Sequence, residues 1–184
     1  MLKEAAPADV AEAARKDLAP AGSRVLGMTR ISWALLFLVA SRGNTADFSG
    51  LTWVDPQPEI QGKVTLVRWW TNGCSLCSTS VPALKELGKK VAVVAIYHPK
   101  PPRDVSPDEV RGFARKIGMP GVLAIDRDWK VLDRWMAPGK RSFTSLTFVL
   151  DKKGKVRHVH PGGVIEPGDA KELAQQIDAL LAEK

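Results

Sequence analysis

From Asp47 onward, short apolar runs alternate with amphipathic stretches, and Gly and Pro mark most of the changes. Leu51 to Val54 reads as a short strand that leads through Asp55-Pro56 and Gln57-Pro58 into Gly62-Lys63. Val64 to Trp70 is apolar except for Thr65 and Arg68, the pattern of a strand buried on both faces. A helix is predicted from Ser75 to Leu87, stopping at Gly88, with Val81, Leu84 and Leu87 on one face. Val91 to Tyr97 reads as a second central strand. Ser106-Pro107-Asp108-Glu109 is a capping box with Pro at the first helical position, and it opens a helix that ends at Gly118. Val122 to Ile125 follows as a short strand and Asp128 to Met136 as a short helix. Leu146 to Leu150 and Val156 to Val159, joined by Asp151-Lys152-Lys153-Gly154, form a hairpin. Asp169 to Ala182 closes the chain as an amphipathic helix with Leu173, Ile177, Leu180 and Leu181 facing inward. After the first short strand the order is β-α-β-α-β-α-β-β-α, which predicts an α/β fold: a central sheet with helices on both faces.

The chain before Asp47 has a different character. Residues 1–27 are rich in Ala and mixed charge and carry no recognisable chemistry. Met28-Thr29-Arg30, the apolar run Ile31 to Ala40 and the polar stretch Ser41 to Ala46 then follow in the order of a secretory signal. This ten-residue run falls short of the roughly 20 that cross a bilayer as a helix, which favours cleavage. Asn44-Thr45-Ala46 offers a small residue only at its last position, so an uncleaved N-terminal anchor is the alternative. Translation is expected to begin at Met28, with 1–27 a start-site artefact, 28–46 the signal or anchor and 47–184 the folded domain. That order places the domain in the periplasm or another extracytoplasmic space, with a membrane tether if the segment is kept.

Composition narrows the class. A chain of 184 residues with 45% hydrophobic residues supports one well-buried core. The net charge of +7 arises from 27 basic and 20 acidic residues scattered without a basic block, a solvated surface rather than a nucleic-acid footprint. The two cysteines, Cys74 and Cys77, are too close in sequence to staple a fold by closing a long loop.

The pair instead carries chemistry. A structural zinc site needs four ligands, and there is no second Cys pair, while His98, His158 and His160 lie far off in sequence. A dithiol at the end of a buried strand and the start of a helix suits redox exchange. The helix N-terminus favours the thiolate of the first sulfur, which is the attacking species. The two intervening residues keep the second thiol within reach of a mixed disulfide on the first.

Val67-Arg68-Trp69-Trp70-Thr71-Asn72-Gly73-Cys74-Ser75-Leu76-Cys77, with Pro82 five residues on, resembles the TlpA-like branch of bacterial periplasmic thiol-disulfide oxidoreductases in the thioredoxin-like superfamily. The resemblance extends through Gly62-Lys63, Tyr97-His98-Pro99, Leu146 to Gly154 and His160-Pro161-Gly162-Gly163, and covers Leu51 to Lys184. It implies a thioredoxin-like fold with a central mixed sheet, Cys74 as nucleophile and Cys77 as resolving thiol. It also implies a protein disulfide client, an upstream thiol electron donor and no cofactor.

Several positions near the motif bear on the site: Arg68, Trp70, Gly73, Thr144 and Ser145. Gly73 stands where the family often has Trp, which opens the surface groove. Arg68 stands where thioredoxins bury an acid, either snorkelling to the surface along its stem or facing the site and lowering a cysteine pKa. Ser145 stands where the fold has a cis-proline. A non-proline cis bond costs about 2.5–4 kcal/mol, so Thr144-Ser145 is expected to be trans. Loss of that proline is expected to loosen client binding and let the thiols hold a soft metal. Trp69 and Trp70 read as core more than as substrate contacts, and His98 as a solvated loop residue. His158 and His160 share one strand face without an expected metal. Two other functions compete: a copper metallochaperone, since soft thiolates suit Cu(I), and a thiol peroxidase, for which Thr71-Asn72-Gly73-Cys74 fits but Val67 stands in place of a Pro.

Overall fold

The computed structural model describes residues 45–136, 144–160 and 162–184. The upstream segment 1–27 and the signal or anchor segment, up to residue 44, lie outside the described residues, as does Pro161. The described chain forms a six-stranded mixed sheet with helices on both faces. In chain order the elements are β1 (Thr52–Trp53), β2 (Thr65–Trp70), α1 (Ser75–Thr79), α2 (Val81–Leu87), β3 (Ala92–Tyr97), α3 (Pro107–Ile117), β4 (Val122–Ile125), α4 (Lys130–Trp135), β5 (Thr147–Leu150), β6 (Val156–His160) and α5 (Pro167–Ala182).

The strands lie in the order β1-β4-β3-β2-β5-β6. β2 runs parallel to β3 and antiparallel to β5, and all six of its residues are buried. Its alternation divides the core. Leu66 and Trp70 join Val81, Leu84, Val110, Leu173 and Ile177 beneath α2, α3 and α5. Val67 and Trp69 join Phe148, Val131 and Leu132 beneath α4. Trp69 meets Trp135 and Phe148 edge-on, with centroids 4.9 and 5.3 Å away, and Trp70 meets Tyr97 at 5.1 Å. Both tryptophans are core residues.

The strands fall within a residue or two of their predicted places, because buried runs and turn residues are local signals. The box at Ser106 forms as expected: its hydroxyl accepts from the Glu109 N–H, and Glu109 accepts from the Ser106 N–H. Three expectations need correction. The helix predicted over Ser75 to Leu87 is interrupted at Ser80, because Pro82 has no N–H to donate back to the preceding turn. Leu181, expected inside, is exposed, while Leu173, Ile177 and Leu180 carry the buried stripe. His98 is fully buried rather than solvated, edge-on to Trp129 at 5.3 Å.

Candidate functional site

β2 carries the chain out of the sheet at Trp70, and Thr71, Asn72 and Gly73 form the loop that delivers Cys74. Tyr97, at the end of the neighbouring β3, donates its hydroxyl to Asn72 Oδ1 and so pins this loop to the sheet. Gly73 adopts φ 69°, the left-handed region, and nothing lies within 4 Å of where a Cβ would stand. Glycine therefore suits this position by its backbone.

Cys74 is the N-cap of α1, and its sulfur accepts the Cys77 N–H at 3.2 Å. That bond supplies the local positive potential expected of a strand-to-helix junction. Cys77, one turn later, is fully buried, whereas Cys74 is partly exposed. Both are free thiols.

Ser145 lies 71 residues away in sequence but faces both sulfurs. Its Oγ is 3.0 Å from Cys77 Sγ and 3.8 Å from Cys74 Sγ. The only cis peptide bond among the described residues is Lys100-Pro101, so Thr144-Ser145 is trans, as expected from its chemistry. A cleft of about 420 Å³, lined by Asn72, Gly73, Cys74, Leu76, Lys100, Thr144 and Ser145, opens over the pair. Leu76 is 42% exposed there, an apolar side chain at the rim. Trp70 lies beneath the site in the core and takes no part in lining the cleft.

Arg68 does not snorkel. It is fully buried on the β2 face that also carries Leu66 and Trp70, and its guanidinium donates to Thr147 Oγ1 at 2.9 Å, to the Gly163 carbonyl, and weakly to Ser80 Oγ at 3.5 Å. Thr147 is its cross-strand partner on β5. Ser80 also donates to the Leu76 carbonyl and accepts the Ile165 N–H, tying together the α1–α2 break, the cation and the chain entering α5. Sequence reading did not single out Thr147 or Ser80. The register of β5 on β2 is the signal that would have found the first.

Burial is the main influence on the Cys77 thiol and pushes its pKa up, and the hydrogen bond with Cys74 adds to that. The Ser145 hydroxyl, the Thr71 N–H and the Arg68 charge pull it down. Burial likewise lowers the pKa of Arg68, and the two sulfurs oppose that. An arginine stays protonated in a protein, so the charge is permanent. Of the remaining candidates, His160 Nε2 pairs with Asp169 at 3.1 Å. Among the described residues, no group of three His, Cys, Asp or Glu side chains is placed to hold a metal.

The arrangement is one reachable thiol and one buried thiol, at the floor of an open cleft, able to form and break a disulfide between them. The sequence matches the Redoxin family over residues 35–177. It is similar to the thiol-disulfide oxidoreductase YkuV of Bacillus subtilis (strain 168), 27% identical over 67% of this chain and 81% of that protein. In structure it is similar to a thiol-disulfide isomerase from Corynebacterium glutamicum, with TM-score 0.59 and 20% identity over 72% of this chain and 92% of that one. It is also similar to a secreted disulfide oxidoreductase of Mycobacterium tuberculosis homologous to E. coli DsbE, with TM-score 0.52 and 18% identity over 70% and 93%. These likenesses show the thioredoxin-like fold.

Proposed function

Since the chain belongs to the Redoxin family and is a thiol-disulfide oxidoreductase, we propose that it reduces or exchanges disulfides of protein clients outside the cytoplasm, using Cys74 and Cys77 alone. The observation that carries this reading is the asymmetry of the pair: Cys74 is reachable from the cleft, and Cys77 is buried one helical turn behind it. The Cys74 thiolate attacks a client disulfide, and its sulfur bonds to one client sulfur while the other leaves. Cys77 then attacks Cys74 Sγ and releases the client as a dithiol. An upstream thiol donor returns the pair to its reduced form. No cofactor enters, because the electrons reside in the two sulfurs.

The extracytoplasmic setting is supported by the signal-like order of residues 28–46 and by the secreted Mycobacterium tuberculosis protein of the same fold. A membrane tether through Ile31 to Ala40 is part of the same proposal. The exposed Leu76 beside Cys74 supports an unfolded or extended protein segment as client.

The test is a Cys77→Ala variant expressed with its own leader. It should accumulate client mixed disulfides on Cys74 that dissolve in reductant, and a Cys74→Ala variant should accumulate none. Absence of any trapped species, together with no disulfide between Cys74 and Cys77 under mild oxidant, would overturn the reading.

A further inference from the structure

We propose that Arg68 is a fixed cation standing in place of a proton-accepting acid, and that it stabilises the Cys77 thiolate as the attacking group when a mixed disulfide resolves and as the leaving group when one forms. This rests on the reading of Cys74 and Cys77 as the exchanging pair.

The first ground is an imbalance of charge. Arg68 is buried without any carboxylate partner among the described residues, and its three acceptors are neutral. Its Nε has no hydrogen-bond partner among the described residues. A buried cation in such a setting is costly, and the cost falls when an anion forms nearby. Ser80, to which it donates, lies three residues beyond Cys77, and Gly163, whose carbonyl it holds, lines the cleft with Cys74, so the thiols are the nearby groups that can become anions.

The second ground is placement. Arg68 leaves the sheet on the face where Leu66, Trp70 and Cys77 share one core, and Gly163, whose carbonyl it holds, is one of the residues lining the cleft. The groups acting on Cys77 come from separate elements: Cys74 from the start of α1, Ser145 from the loop before β5, the Thr71 N–H from the loop after β2, and Arg68 from within β2. Lys100, after β3, is the charged residue lining the cleft above them. Once Cys74 is tied up in a mixed disulfide its thiol no longer opposes ionisation of Cys77, and the remaining polar partners all favour the thiolate.

The step balances in both directions. In resolution, Cys77 loses its proton to water and its electron pair forms the bond to Cys74 Sγ. The bond from Cys74 to the client breaks, and that pair leaves on the client sulfur, which takes up a proton. The client is reduced and the pair is oxidised. In the reverse direction a client thiolate attacks Cys74 Sγ, and Cys77 leaves as a thiolate against Arg68. Only the reduced protein can supply the anion, so above the Cys77 midpoint Arg68 also shifts the equilibrium toward the reduced form and makes the disulfide the more oxidising.

An aromatic disulfide that releases a coloured thiol separates the steps. Reduced wild-type protein should release one equivalent as Cys74 reacts and a second as Cys77 resolves. In Arg68→Met the second phase should be about threefold slower well below its pH midpoint, with that midpoint raised by about one unit. Equilibration with glutathione at a pH above both midpoints should favour the disulfide of that variant about tenfold, close to 30 mV, and the difference should vanish below them. Arg68→Lys keeps the charge and loses the planar fork, and should keep its midpoint within about half a unit of wild type. A folded Arg68→Met with wild-type midpoint and potential overturns the proposal. If Arg68→Met does not fold, Arg68→Lys decides, since a midpoint raised by a full unit despite the retained charge rejects the cation. Failure of wild type itself to release a second equivalent would instead defeat the exchanging-pair reading.

Discussion

Ser145→Ala removes one hydroxyl from a site where that hydroxyl faces both sulfurs, 3.0 Å from Cys77 and 3.8 Å from Cys74. Against a thiolate only the hydroxyl can donate. A hydrogen bond to a charged group is worth about 1.5–3 kcal/mol, and one pKa unit corresponds to about 1.4 kcal/mol. Ser145 lines the cleft, so water replaces part of what is lost, and the expected rise in the Cys77 pKa is about one unit. Below the midpoint that leaves about tenfold less thiolate. Each remaining thiolate is about threefold more nucleophilic, because reactivity rises with pKa at a Brønsted slope near 0.4–0.5. Resolution of a mixed disulfide should therefore be about threefold slower well below the midpoint and about threefold faster well above it. Stopped-flow release of a coloured thiol across pH reads both limbs. A uniform slowing at every pH would mean that the hydroxyl acts by packing alone, and an unchanged profile would mean that it does not bond the thiolate.

Two further perturbations probe the scaffold. Asp126 is fully buried and accepts from Trp69 Nε1, the Val131 N–H and the Leu132 N–H. Asp126→Ala orphans these donors, so about 2–4 kcal/mol should be lost, seen as a urea midpoint lower by about 1–2 M. Burial is the main influence on the carboxyl and raises its pKa above the ordinary 3.8. Its protonation therefore favours the folded state. The contribution is full below 3.8 and is lost as pH rises through the higher folded value, so wild type minus variant should gain stability on acidification through that window. A flat difference curve would refute the assignment. Gly73→Ala places a side chain at φ 69° with nothing to strike, so its cost is the left-handed backbone alone, about 1–2 kcal/mol. A melting temperature equal to wild type's would show that the loop relaxes freely.

Much of this protein is legible in its amino-acid order alone. The spacing of Cys74 and Cys77, the buried run of β2 and the capping box at Ser106 are local patterns, written within a few neighbouring residues, and each forms where it is expected. The break at Ser80 is also local, carried by Pro82, although the apolar positions around it run on in helical register. Arg68 is different. A single charged residue in an apolar run fits either a snorkelling side chain or a buried one, and the choice rests on Thr147, Ser80 and Gly163, which lie 79, 12 and 95 positions away. Ser145 reaches the sulfurs only because β5 pairs antiparallel with β2 and sets the residues preceding Thr147 beside the start of α1. His98 reads as a loop residue along the chain, and it is Trp129, 31 positions on, that covers it. The sequence determined that two thiols stand within reach of each other, because their spacing is kept by the chain itself. Their electrostatic setting was decided by tertiary structure, because burial and charge compensation depend on which distant segments the sheet brings together.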